Sequence, residues 1–366
     1  MMRNTAYLLS LALLFASVFF VARSNLLQLP DEPADTETLP DTQAEKAMET
    51  PFEAEFLMTI REEYPTAFGV YDLLYAAPVK YPEDTDKGSS EDPSSVPEGS
   101  IPIIPRDLSR NQTASLMYLS NETDFSPDLV SLVSTECRID TGAAASSREG
   151  SGEKPLVLIL HTHGTESYLP EGASYTDAEE SFRTSDPTQN VIAVGQVLAD
   201  TLNSRGIPTL HCDIMHDLES YRNAYPSAQQ TILTYLNQYP SIRYVLDVHR
   251  DALLTDTGSY IKPLVYSGED AVAQIMLVMG TNQNGADHPD WMTNLTVAAK
   301  LQARLIERLP GLMRPINLRK SSFNEQYAPG SMLIELGSNA NTLAEAKRAA
   351  VLLGEELSTL IAELAQ

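Results

Sequence analysis

Cysteine is nearly missing from this chain of 366 residues: it has two, Cys137 and Cys212, far apart along the sequence. Two thiols cannot build a disulfide framework, and the reading is a pair of buried free cysteines. Basic side chains are also sparse, with 25 Lys and Arg against 50 Asp and Glu and a formal charge of −25. A surface this acidic repels phosphate backbones and anionic headgroups, which excludes nucleic acid as a partner. There are only six histidines. One long uncharged run occurs, between Arg3 and Arg23, where "AYLLSLALLFASVFFVA" fills residues 6–22. That is about the length a bilayer core demands.

The run lacks a small-x-small cleavage site, and Arg3 with the terminal amine biases its first side positive. The expectation is an uncleaved single-pass anchor in the cell membrane with the rest of the chain outside the cytoplasm; a cleaved signal peptide is the alternative. Residues 23–50 are rich in Pro, Asp, Glu and Thr and read as an acidic, solvated tether. Residues 51–150 alternate apolar stretches with low-complexity segments such as "YPEDTDKGSSEDPSSVPEGS" and form a weakly patterned region of uncertain fold. Asn-x-Ser/Thr triplets at Asn111, Asn121 and Asn294 matter only in a glycosylating host.

From Pro155 onward, with 43% of the whole chain hydrophobic, short apolar strands alternate with helix-like segments. "LVLIL", "TLHCDI", "RYVLDVHRD", "AQIMLVMG" and "SMLIELG" read as strands. "NVIAVGQVLADTLNSRGI", "AYPSAQQTILTYLNQYP", "WMTNLTVAAKLQARLIERL" and a segment from Leu343 read as helices, with Gly206 set as a left-handed cap. This rhythm predicts an α/β domain over 151–366 with a largely parallel twisted sheet and helices on both faces. In such sheets, sites assemble outside the carboxyl ends of the strands.

Four ionisable residues fall at or near strand ends: His163, Glu166, His249 and Glu335. Two imidazoles and a carboxylate leave an open position on Zn²⁺ for water, and a second carboxylate would move the proton. His163 and Glu166 face one point if the chain turns between them. Alternation along "VLDVHRD" puts Asp247, His249 and Asp251 on one face, so His249 gains carboxylates beside its second nitrogen. Glu335 in "MLIELG" is expected buried, where an unpaired carboxylate is costly, so a metal, a water or a salt bridge must compensate. His161, two residues before His163, is an alternative ligand or a substrate contact. Gly164 would give the backbone freedom to wrap an ion. His211 and His216 read as core or surface residues, with His216 and Asp217 near the cleft, and His288 reads as a solvent-exposed loop residue. Arg250 either salt-bridges a neighbouring acid or anchors a peptide carboxylate.

The run "LILHTHGTESYLP", followed by "VLDVHRDA", "GTNQN" and "NEQYAPGSMLIELGSNANTLAEAKRAA", resembles the stage II sporulation protein P family over about residues 155–362. The resemblance implies a zinc-dependent N-acetylmuramoyl-L-alanine amidase with endopeptidase activity on cross-links, acting in engulfment at the mother-cell membrane. It implies sporulation proteins D and M as partners. The family's first histidine motif falls on His161 and His163, its acid on Glu166, its second histidine on His249 and its late glutamate on Glu335. Amidases of the related zinc fold take a ligand glutamate from the following helix, but there "SDPTQNVIAV" offers no acid except Asp186, which favours Glu166. The order also resembles that of zinc carboxypeptidases. "HTHGTES" departs from the pattern at Gly164, where Thr or Ser is expected. Two rival readings are a zinc carboxypeptidase or endopeptidase acting on stem peptides alone and a wall-binding scaffold without catalysis.

Overall fold

Residues 157–160, Val-Leu-Ile-Leu, are fully buried, and their two faces feed two different cores. Val157 and Ile159 join the larger cluster, while Leu158 and Leu160 join a smaller one across the sheet. A strand buried on both faces must be covered by helices on both sides. The computed structural model describes residues 79–81, 96–141 and 154–365. The anchor expected at 6–22 and the tether at 23–50 lie outside the described residues. Among those described, no helix is long and apolar enough to cross a membrane.

In chain order the strands are β1 (Val79–Tyr81), β2 (Ser100–Arg106), β3 (Leu119–Asn121), β4 (Val157–Leu160), β5 (Tyr175–Asp177), β6 (Thr209–His211), β7 (Tyr244–Asp251), β8 (Leu253–Thr255), β9 (Tyr260–Ser267), β10 (Asp270–Ala273), β11 (Ile275–Gly280), β12 (Ile316–Arg319) and β13 (Met332–Ser338). The helices are α1 (Leu129–Ser134), α2 (Val191–Ser204), α3 (Ala224–Gln238), α4 (Trp291–Arg308) and α5 (Leu343–Leu364). Seven strands form the main sheet in the order β3-β12-β11-β13-β7-β4-β6. Every neighbouring pair is parallel except β11 with β13. The largely parallel α/β core expected from the alternation of elements is therefore present, with one antiparallel pair inside it.

The helices begin and end where side chains satisfy their free backbone groups. Asn190 accepts the Ile192 amide at the start of α2, and Gly206 at φ +81° follows its end. Thr342 and Glu345 close a reciprocal capping box on α5. Helices α2, α4 and α5 pack on the Val157 face, and α3 covers the Leu158 face with Ala228 and Ile232.

A second sheet, ordered β1-β8-β9-β2-β5 with β10 on β9, was not visible in the sequence pattern. Its longer strands, β2 and β9, are only partly buried and keep no regular alternation of buried and exposed positions. Strand β2 pairs with β9, β3 pairs with β12, and Leu129 and Ile139 join the main core. Segments that the sequence assigns to a separate region before residue 151 thus add strands to both sheets of the same fold.

Candidate active-site cleft

Strand β4 ends at Leu160, and the chain turns at once through residues 162–165, with the Glu166 amide donating to the His163 carbonyl. The turn brings His163 and Glu166 to the carboxyl end of β4. His249 approaches from β7, and β13 carries Glu335 directly opposite His249 in register. These four residues line one cleft of about 200 Å³, with Arg183, Tyr221 and Arg319 among its other walls. Thr162 anchors the turn: its amide and hydroxyl both donate to Asp247, at 2.8 and 2.6 Å.

Each imidazole has a carboxylate beside one nitrogen. His249 Nε2 lies 2.8 Å from Asp247 Oδ1, close but poorly aligned for a hydrogen bond, while its Nδ1 faces Glu166 Oε2 at 3.5 Å. His163 Nδ1 is buried without a hydrogen-bond partner, 3.8 Å from Asp217 Oδ2. The His163 ring stacks on Tyr221 at 4.4 Å and meets His249 edge-on at 5.5 Å. Asp217 is itself held by the Thr165 amide and hydroxyl and by Arg183 at 2.7 Å. The sequence places Asp217 only near the cleft and does not point to Arg183 or Tyr221.

Electrostatics separate the two glutamates. Burial would raise the Glu166 pKa, but Arg250, His249 and His163 outweigh it and hold the carboxyl well below its usual range. Glu335 is half-buried, and its Oε2 is closed off without a hydrogen-bond partner. Burial, reinforced by Asp251 and Glu166, pushes its pKa up to about 8. Among the described residues no Lys or Arg forms an ion pair with it; Arg314, whose charge opposes the rise, pairs with Asp251 at 2.8 Å. His249 is driven the other way from Glu166: burial favours the neutral ring, but Asp247 and Glu166 raise its pKa well above the ordinary value.

The remaining sequence candidates are drawn elsewhere. His161 does not share a direction with His163, because the strand has already ended and its alternation no longer applies. Its Nδ1 faces the Val248 carbonyl at 2.8 Å and its Nε2 faces His211 at 2.9 Å, with the ring packed under Gly195 of α2. His216 bonds the His161 carbonyl and the Thr231 hydroxyl. His288, expected at the surface, is 1% exposed, with Nε2 3.2 Å from Asn294, which is itself fully buried in α4. Arg250 gives its side-chain donors to the carbonyls of Ser167 and Phe182 and lies 3.9 Å from Glu166. Gly164 has a different reason from the one expected: its φ is ordinary, but a Cβ there would stand 2.9 Å from the Met215 backbone, so Thr or Ser has no room.

The donor set of His163, Glu166 and His249 has the chemistry of a zinc site, since each ring has a carboxylate on one side and keeps a nitrogen for an ion. Among the described residues, no three His, Cys, Asp or Glu side chains stand close enough together to enclose an ion as they are placed.

Residues 84–358 match the family model described as Stage II sporulation protein P. The stage II sporulation protein P of Bacillus subtilis (strain 168) is 26% identical over 241 residues, which cover 63% of this chain and 57% of that protein. The chain therefore spans just over half the length of that curated relative. Among solved structures, it is similar to the N-acetylmuramoyl-L-alanine amidase AmiC2 of Nostoc punctiforme, at 14% identity and a TM-score of 0.35 over 58% of this chain and 98% of that one. It is also similar to the CwlD amidase from Clostridioides difficile in complex with the GerS lipoprotein, at 14% identity and a TM-score of 0.34 over 57% and 98%.

Proposed function

The chain belongs to the stage II sporulation protein P family, and from that membership and the cleft we propose a peptidoglycan hydrolase of sporulation that cleaves the amide between N-acetylmuramic acid and L-alanine. The observation that carries this reading is the meeting of His163, Glu166, His249 and Glu335 in one cleft, at the carboxyl ends of β4 and β7 and the middle of β13. Zinc would be held by His163, Glu166 and His249. When bound, it supplies a Lewis acid, a water acidified to near neutral pH and a positive charge that lowers the Glu335 pKa.

Glu335 then acts as the general base. It takes a proton from the water that attacks the lactyl carbonyl carbon and returns it to the alanine nitrogen as the carbon–nitrogen bond breaks. Its apolar surroundings in β13 suit this task, because a carboxyl with an elevated pKa both accepts and gives up a proton near neutrality. Asp247 and Asp217 orient the two rings, and Arg250 orients Glu166 through the Ser167 and Phe182 carbonyls instead of gripping a substrate carboxylate. The same site would cut peptide cross-links where a stem peptide presents its amide to the cleft. The anchor at 6–22 would hold the domain outside the cytoplasm at the engulfing membrane, where sporulation proteins D and M are its expected partners.

Replacing Glu335 with Gln tests the assignment. Release of peptide-free glycan from purified sacculi should fall by at least about a hundredfold, with one zinc per chain still bound in elemental analysis. Undiminished cleavage by that variant would refute the role.

A further inference from the structure

The cleft does not end at its catalytic wall. Tyr225 and Phe323 form part of that wall and also open onto a second, larger cavity of about 670 Å³. Two segments that the proposed chemistry leaves unused build much of it: the loop after β11, with Asn284, and the segment before β13, with Asn324, Gln326 and Tyr327. Gln229 of α3 closes the far side and donates to the Tyr327 hydroxyl.

Two features mark this cavity as a binding site. Its polar lining is carried by side-chain amides, each offering a donor and an acceptor, set among aromatic rings. Gln326 Oε1 is buried there without a hydrogen-bond partner. The wall is also strained: Phe323 at φ +51° and Asn324 at φ +63° are consecutive residues in the left-handed region. For a phenylalanine that conformation is costly and persists only when the surroundings impose it. The Asn324 amide helps to impose it by donating to the Tyr225 carbonyl at 3.1 Å, which ties the strained pair to the ring shared with the cleft.

Charge separates the two ends of the path. Among the described residues, the larger cavity is lined by no Lys or Arg and by one carboxylate, Asp287. The cleft has Arg183 and Arg319 in its walls, besides Arg250, whose side chain is committed to the Ser167 and Phe182 carbonyls. We infer that the larger cavity is a sugar subsite that takes a neutral N-acetylated hexose of the glycan strand, leaving the arginine-lined side for the carboxylate-bearing stem peptide. Amide side chains match sugar hydroxyls and acetamido groups in both donor and acceptor sense, and the aromatic rings cover the apolar faces of the pyranose. The inference deepens the proposed amidase reading and rests on it for the direction of the substrate.

Calorimetric titration of the zinc-loaded full chain with the tetramer of N-acetylglucosamine tests it directly. Binding is expected in the wild type and should weaken about tenfold in both Asn284→Ala and Gln326→Ala, each losing one or more hydrogen bonds, while Arg319→Ala leaves it unchanged. Two variants on separate segments, each with its melting temperature checked, keep a folding defect from passing as a binding defect. Absence of tetramer binding in the wild type, or equal affinity in both folded amide variants, would overturn the sugar subsite. If the amide variants lose the tetramer but no peptide-free glycan is released from sacculi, the subsite stands and the amidase reading fails. If glycan is released and the tetramer does not bind, the subsite alone fails.

Discussion

His288 shows what a single residue contributes that its sequence surroundings hide. "NQNGADHPDW" looks like an open loop, yet the ring is buried, and burial lowers its pKa to about 4 despite the opposing charge of Asp290. A base whose folded pKa is depressed stays neutral in the fold while the unfolded chain takes up the proton, so stability is lost as pH falls from about 6.5 through 4. His288→Asn should remove this ring's share of the acid loss, up to about 3 kcal/mol, seen as a flatter fall in melting temperature between pH 6.5 and 4. An unchanged slope would place the ring in solvent. The four site residues were legible for the opposite reason. His163, Glu166, His249 and Glu335 stand out as ionisable groups at or beside the ends of apolar strands. Arg183, Tyr221 and the anchoring role of Asp217 depend on a loop crossing back over the cleft, which no periodicity records.

At the scale of elements, strands β4, β7, β11 and β13 and helices α2 to α5 were legible because each is long or wholly apolar enough for its period to stand out. The antiparallel entry of β11 was not, since strand direction leaves no mark on a buried apolar run. Close packing of elements was equally hidden. Helices α2 and α5 approach where a Cβ on Gly354 would stand 2.7 Å from the Thr201 methyl and 3.2 Å from Leu198. Gly354→Leu should therefore cost about 1–3 kcal/mol by overpacking and lower the melting temperature by several degrees in a scanning calorimeter. A variant at least as stable as the wild type would show that the two helices can separate freely. Gly164 belongs to the same class, a glycine retained for the Met215 backbone beside it and not for its own conformation.

For the whole molecule, the division expected at residue 151 does not match the pairing of strands. Strands β2 and β3 extend two sheets, and Ile139 donates its amide to the Leu364 carbonyl at the end of α5. A fragment covering residues 96–366 should unfold cooperatively, while one covering 150–366 should melt lower and expose β9 and β12 to hydrogen exchange. Equal melting temperatures would mean the added strands are accessory. These strands were illegible because β3 has only three residues and β2 buries too little of its length to show a period. The proposed chemistry has one cleft hydrolyse the bond joining glycan to peptide, and mass analysis of sacculi digested by the zinc-loaded full chain reads out that bond. Glycan strands freed of peptide are expected, together with stem peptides carrying a free L-alanine amine; disaccharides that keep their peptides, with only cross-links cut or nothing cut at all, would refute hydrolysis at that bond.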